Sequence, residues 1–269
     1  MMNLISPNTT MKAFDTYPGG KGGAGVYQTI INQQPPHDTY IEAFLGGGAV
    51  LRAKRPAALN IGLDRSQAVI DAWHLALSSD PAMQKTLRIE LGCAIEFLSA
   101  YRWTGRELVY IDPPYVRSAR RSSRDLYDFE MTDDEHRRLL QLCRDLPCSV
   151  QISGYPSDLY AEMLADWRLI RFQAQTRSGT PAEECLWMNY AAPVALHDYR
   201  HLGASFRERE RIKRKATRWA AGLARLPALE RQAVLSAMLS SSIAESGEDD
   251  VAGSDDKSLE AAIGELAEL

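Results

Sequence analysis

Residues 112–115 read Asp-Pro-Pro-Tyr and follow an apolar, strand-like run that ends at Asp112. Proline has no amide hydrogen and cannot extend a sheet ladder, so a strand that meets two prolines gives up regular pairing there. The stretch offers a carboxylate at Asp112, a backbone carbonyl at Pro113 stiffened by the Pro114 ring, and an aromatic face at Tyr115. A fixed pair of acceptors beside a ring is a preorganised electrostatic device, suited to a polar group on a flat molecule.

Two further stretches carry chemistry of a complementary kind. Phe44-Leu-Gly-Gly-Gly48 puts glycines between a strand and a helix N-terminus, where a backbone must approach a ligand closely. Asp64 ends the next strand about 16–18 residues later, where an acid commonly accepts hydrogen bonds from ribose hydroxyls. Each has a plainer use, the glycines as a tight connection and Asp64 as a helix N-cap. Together they point to an adenosine-containing cofactor. A dinucleotide and S-adenosylmethionine both remain open, and Leu51 stands where a full GxGxxG would place its third glycine.

The elements that must position these residues alternate along the chain. Strands are expected over 39–46, 58–64, 107–112, 148–154, 168–175 and 184–190. Helices are expected over 50–55, over 66–77 with Ser66 as cap, over most of 81–103, over 132–146, and over 156–167. Thr132 with Glu135 three positions on has the form of a capping box. Such alternation predicts an α/β fold, a mostly parallel sheet with helices on both faces. Ligands of such sheets bind beyond the carboxyl ends of the strands. Gly46–Gly48, Asp64, Asp112 and the turn after Gly154 should therefore face one crevice.

Bulk properties narrow the class. The 269 residues are 45% apolar and 25% charged, an ordinary globular balance. The four cysteines, Cys93, Cys143, Cys148 and Cys185, form no CxxC pair and no metal-like spacing, so no metal and a reducing cytoplasm are expected. The first residues lack a basic segment followed by an apolar run, so no signal peptide is expected. No window reaches the ~18 apolar residues of a membrane helix.

With Tyr17-Pro-Gly-Gly-Lys21 added, the ordered set PGGK, FLGGG, Asp64 and DPPY resembles the Dam-like, D12 class of adenine-specific DNA N6-methyltransferases. ISGYPSDLYAEML (152–164) and ECLWMNY (184–190) resemble phage and prophage members of that class, and the likeness spans roughly residues 16–192. It implies a Rossmann-like methyltransferase sheet, S-adenosylmethionine as cofactor and double-stranded DNA as partner. It implies a catalytic set of Asp112, Pro113, Pro114 and Tyr115. It also implies a cofactor set of Tyr17, Gly20, Lys21, Glu42, Phe44, Gly46, Gly48, Asp64 and Asp112, with Glu42 near the methionine amino group.

The physics of the Asp-Pro-Pro-Tyr stretch agrees with that resemblance. The exocyclic amine of adenine is a poor nucleophile because its lone pair is delocalised into the ring. The Asp112 carboxylate and Pro113 carbonyl, accepting its two hydrogens, would return electron density to the nitrogen. Tyr115 would stack on a base flipped out of the duplex, where stacking of ~1–3 kcal/mol offsets a cost of a few kcal/mol.

Only 47 residues separate Asp64 from Asp112, which leaves little room for a recognition domain. The loop that follows the tip is the better candidate. Arg117, Arg120, Arg121 and Arg124 can neutralise phosphates or read guanine, while Tyr127 and Phe129 can anchor the loop or fill the gap left by a flipped base. Three parts are expected: a methyltransferase domain over 12–198, a basic helical extension over 204–243, and an acidic, disordered tail over 244–269 whose 245–258 stretch is apolar-poor. That tail offsets the basic helix, which makes the net charge of −4 uninformative. The alternatives are an oxidoreductase, a methyltransferase acting on cytosine N4 or RNA adenine, and a silent DNA-binding relative.

Overall fold

The computed structural model describes residues 20–119, 129–175 and 181–246. Its strands are β1 (Thr39–Glu42), β2 (Leu59–Asp64), β3 (Leu87–Leu91), β4 (Glu107–Ile111), β5 (Ser149–Gly154), β6 (Arg168–Gln175) and β7 (Pro181–Met188). They form one sheet in the order β3-β2-β1-β4-β5-β7-β6. Neighbours from β3 through β5 are parallel, and β7 runs antiparallel between β5 and β6. The first five strands follow the Rossmann-like order. The order reverses between β1 and β4, and a cleft for a ligand belongs outside the carboxyl ends at that point.

Side-chain alternation along each strand divides the core between two faces. Tyr40, Leu108 and Tyr110 pack with α1 (Val26–Ile31), α2 (Ala49–Ala53) and α3 (Gln67–Leu77). Ile41, Val109, Ile111, Val150 and Ile152 pack on the other face with α5 (Ala94–Ala100), α6 (Asp133–Asp145) and α7 (Asp158–Met163). All five residues of β4 are buried, as a strand covered on both faces requires. Burying each large aliphatic side chain contributes roughly 1.5–3 kcal/mol, so β4 holds its tip firmly.

The segment 81–103 differs from the helical expectation. It contains α4 (Pro81–Gln84), then β3, then α5. The sequence Leu-Arg-Ile-Glu-Leu of β3 alternates apolar and charged residues, a period-2 pattern that fits a half-covered edge strand better than a helix. At α3, Ser66 is the N-cap residue but makes no side-chain cap bond. The Asp64 carboxylate instead accepts from the Ser66 amide at 2.9 Å. The capping box at α6 is present, with Thr132 and Glu135 satisfying each other's amides.

The chain divides into two compact units between Ile212 and Lys213. Helix α8 (Phe206–Ala224) crosses that boundary, and α9 (Ala228–Ser246) lies wholly in the second unit. Within the second unit Trp219, Leu223 and Leu226 share a groove with Val234 and Met238. No described helix is long and apolar enough to cross a membrane.

Candidate active site at the β1 and β4 tips

The glycine turn after β1 is shaped by backbone demands. Gly46 and Gly48 have φ of 44° and 55°, in the left-handed region that side chains disfavour. A Cβ on Gly48 would sit 2.4 Å from Cζ2 of Trp73, so ring and glycine pack without room for a side chain. Trp73, 1% exposed, donates from Nε1 to the Gly46 carbonyl at 2.9 Å, while Asp64 accepts from the Gly46 amide at 2.8 Å. Two elements, α3 and β2, therefore clamp the turn. Burial raises the Asp64 carboxyl, and the amides of Ser66 and Gly46 pull it partly back.

Glu42 closes β1 and is buried. It accepts from the Tyr40 hydroxyl at 2.9 Å and from the Leu51 amide, in the first turn of α2, at 3.0 Å. Burial pushes its carboxyl up to about 8, against the pull of those two donors. The N-terminus of α2, where a dinucleotide would seat its phosphates, is thus already served by an acidic side chain.

Beyond β4, Asp112 sits at the middle of a polar cluster. The Lys21 ammonium donates to both its oxygens, at 2.7 and 2.8 Å, and Ser153 at the end of β5 donates to Oδ1 at 2.8 Å. Tyr110 and Ser153 hydroxyls lie 2.9 Å apart and extend the network into the core. Lys21 also donates to the Tyr115 hydroxyl at 2.6 Å and lies 3.2 Å from Glu184 Oε1, and the Tyr115 hydroxyl donates to that same oxygen. Burial raises the Asp112 carboxyl, Lys21 draws it down, and Glu184 pushes it up, leaving it above the ordinary aspartate value. Burial by itself would lower the Lys21 ammonium, but Asp112 and Glu184 outweigh that and hold it above the usual lysine value.

These pieces line one cleft of about 800 Å³, part of it open to solvent. Gly20, Lys21, Glu42, Phe44, Gly46, Gly48, Asp64, Asp112, Pro113 and Pro114 all border it, together with Phe129 and Met131. Tyr115 is different. It is 7% exposed, its hydroxyl faces Lys21 and Glu184, and its ring lies 4.3 Å from that of Tyr155. Arg117 lies in a short 3-10 turn and is exposed. Tyr17, Arg120, Arg121, Arg124 and Tyr127 lie outside the described residues. Among the described residues, no group of three or more His, Cys, Asp or Glu is placed to hold a metal ion.

Sequence reasoning missed Ser153, Glu184, Tyr155 and Trp73. Glu184 carried a usable signal, an acid beside a run of apolar strand residues, Cys185-Leu-Trp-Met188, where burial demands a partner. The others carried none, since a serine, a tyrosine and a tryptophan at element ends have many ordinary uses.

Residues 79–177, which include Asp112–Tyr115, match the model of the D12 class N6 adenine-specific DNA methyltransferase family. No curated protein matches the chain by sequence. Among solved structures, it is similar to an O-methyltransferase from Bacillus cereus in complex with SAH at 13% identity. That match covers 69% of this chain and 93% of the other, with a TM-score of 0.45. It is also similar to a SAM-dependent methyltransferase from Methanosarcina mazei at 10% identity, over 60% and 95% of the two chains, with a TM-score of 0.44. A precorrin 8W decarboxylase from Methanobacterium thermoautotrophicum matches at 13% identity, over 66% and 95%, with a TM-score of 0.44.

Proposed function

We propose that this methyltransferase-type chain transfers a methyl group from S-adenosylmethionine to the exocyclic N6 amine of an adenine flipped out of DNA. The observation that carries the proposal is the convergence of Asp112 and Pro113 with the Gly46–Gly48 turn, Glu42 and Asp64 on one cleft. The match of residues 79–177 to the D12 family supplies the support for adenine in DNA.

The residues present fit the cofactor. Asp64 offers acceptors at the tip of β2 for ribose hydroxyls, and the positive φ of Gly46 and Gly48 lets the backbone approach closely. Glu42, a buried carboxyl raised to about 8, is an acid in want of a cation, and the amino group of a bound methionine moiety would supply one. The same acid already accepts from the Leu51 amide at the start of α2, so a dinucleotide pyrophosphate would find that donor taken. When bound, S-adenosylmethionine provides an electrophilic methyl group on a positively charged sulfur with a good leaving group.

The chain's own residues then act on the base. Two carboxylate oxygens have about four acceptor positions. Lys21 and Ser153 occupy part of that capacity at Asp112, whose side chain keeps 17% of its surface exposed. The remainder serves an N6 hydrogen, and the Pro113 carbonyl serves the other. As the methyl is taken up, the nitrogen loses one proton to Asp112, which its raised proton affinity favours. Phe129 and Pro114 border the cleft and offer flat surface to the base, while Tyr115 buttresses Lys21 from behind. Arg117 and the arginines at 120, 121 and 124 are proposed to hold the phosphate backbone, with no metal taking part.

The test is substrate choice. Duplex DNA, single-stranded DNA and RNA are offered with labelled cofactor and digested to nucleosides. N6-methyladenine from duplex DNA is the expected product. Label confined to N4-methylcytosine, or to RNA adenine, would move the assignment to another amine of the same geometry.

A further inference from the structure

The reaction described above makes no use of Glu184, yet this side chain sits at the centre of the buried cluster. It belongs to β7, is 3% exposed, and reaches Lys21 at 3.2 Å and the Tyr115 hydroxyl through Oε1. Its other oxygen, Oε2, is buried and has no hydrogen-bond partner among the described residues. A lysine and one aspartate already form a balanced buried pair. A second carboxyl on the same ammonium adds a desolvation cost, and leaving one of its oxygens unsatisfied adds more. An arrangement that served stability alone would not retain it.

We propose that Glu184 is a positioning residue, which acts through the shared Lys21 to set how strongly Asp112 accepts a proton. The proposal rests on the methyl-transfer reading for its purpose and on geometry for its substance. Lys21 has three ammonium protons, and Asp112, Tyr115 and Glu184 all lie within 3.2 Å of its nitrogen. A lone Asp112 would take the full pull of the ammonium and become a weak acceptor. Glu184 draws Lys21 the other way, and its own charge disfavours the ionised form of Asp112. The direction of its effect on Asp112 is upward, in agreement with this geometry. Tyr115, donating to Glu184 and accepting from Lys21, holds the two at a fixed separation. The carboxyl that contacts the base is thereby kept basic by a charge on β7 that does not itself border the cleft.

The experiment follows Asp112 directly. Protein labelled with 13C at the aspartate carboxyl is titrated by NMR as the parent, Glu184→Gln and Glu184→Asp, with Asp112→Asn used for assignment. The same preparations are assayed for kcat and KM against pH. Glu184→Gln keeps shape and hydrogen-bonding capacity but loses the charge. It is expected to move the Asp112 titration, and the acid limb of kcat, to lower pH. Its plateau kcat should fall about tenfold, with KM for DNA and cofactor within about twofold of the parent. Glu184→Asp withdraws the charge by one methylene and should fall between parent and Gln variant. It also stands in if the Gln variant fails to fold. An Asp112 titration unchanged in the folded variants overturns the proposal. A parent that methylates nothing, with the Asp112 titration still displaced by Glu184→Gln, retires the methyl-transfer reading and leaves the coupling in place.

Discussion

Lys21 and Asp112, 91 positions apart in sequence, are joined by a two-oxygen contact at 2.7 and 2.8 Å. The pair ties the segment before α1 to the tip of β4, and it places a buried cation beside a partly buried carboxyl. Two consequences follow, one for stability and one for pH.

Lys21→Met should leave Asp112 and Glu184 buried without a counter-ion. Breaking a buried pair in this way typically costs 3–5 kcal/mol, about that much of the folding free energy by urea titration. The sign for pH is equally definite. Lys21 pulls the Asp112 carboxyl down, so its loss raises that carboxyl further, and the acid limb of activity moves toward neutral pH. Full stability and an unmoved acid limb would show that the pair is incidental.

Glu42 predicts a proton flux. With its carboxyl near 8 it is mostly protonated at pH 7, and a cationic amino group placed against it favours ionisation. Cofactor binding at pH 7 should therefore release protons. Calorimetry in two buffers of different ionisation enthalpy measures that number, and Glu42→Gln should abolish it. Net proton uptake in the parent would exclude this position for the amino group.

Gly48→Ala tests the clamp on the glycine turn. Its Cβ would lie 2.4 Å from Trp73 Cζ2 and its backbone holds φ of 55°, so steric and conformational costs add. A loss of about 2–4 kcal/mol is expected by thermal or chemical unfolding. Gly22→Ala, with nothing within 4 Å of its added Cβ, is the control and should change stability by less than about 0.5 kcal/mol.

Much of this fold is legible in the sequence. The six expected strands are short runs of apolar or alternating apolar and polar residues, and the Asp-Pro-Pro tip ends β4 for the reason its proline chemistry gives. β3 escaped because Leu-Arg-Ile-Glu-Leu sits between two helical pieces and contains good helix formers. Its pairing with β2, a tertiary event, decided the outcome. At the site, glycines, Asp64 and Asp112 announce themselves by position. Glu184 shows only that it needs a buried partner and Ser153 shows nothing, because which partners they meet depends on β7 inserting antiparallel beside β5, which no local pattern encodes. Tyr115 is expected to stack on the base through its ring; its hydroxyl joins the Lys21 cluster, a placement set by two buried partners that lie far away in sequence.

Recognition should divide between two basic segments. Arg120→Ala with Arg121→Ala, in the segment that follows Asp112–Tyr115 in sequence, should change which adenines are modified and weaken binding. Replacing Lys213, Arg214 and Lys215, all exposed on α8, by alanine should weaken binding without changing the sites and reduce its salt dependence. Mapping methylated adenines across a genome that expresses each variant checks both. Sites altered only by the α8 variant would reverse the division.

The most direct measurement of the central claim is nucleoside analysis of duplex DNA incubated with labelled S-adenosylmethionine and either the parent or Asp112→Ala. Asp112 lies at a strand tip and Lys21 keeps Glu184 as a counter-ion in its absence, so the variant should fold. The parent should yield N6-methyladenine, and the variant should yield at least about a hundredfold less, the scale of losing a positioned acceptor. Near-normal N6-methyladenine from folded Asp112→Ala would contradict the account.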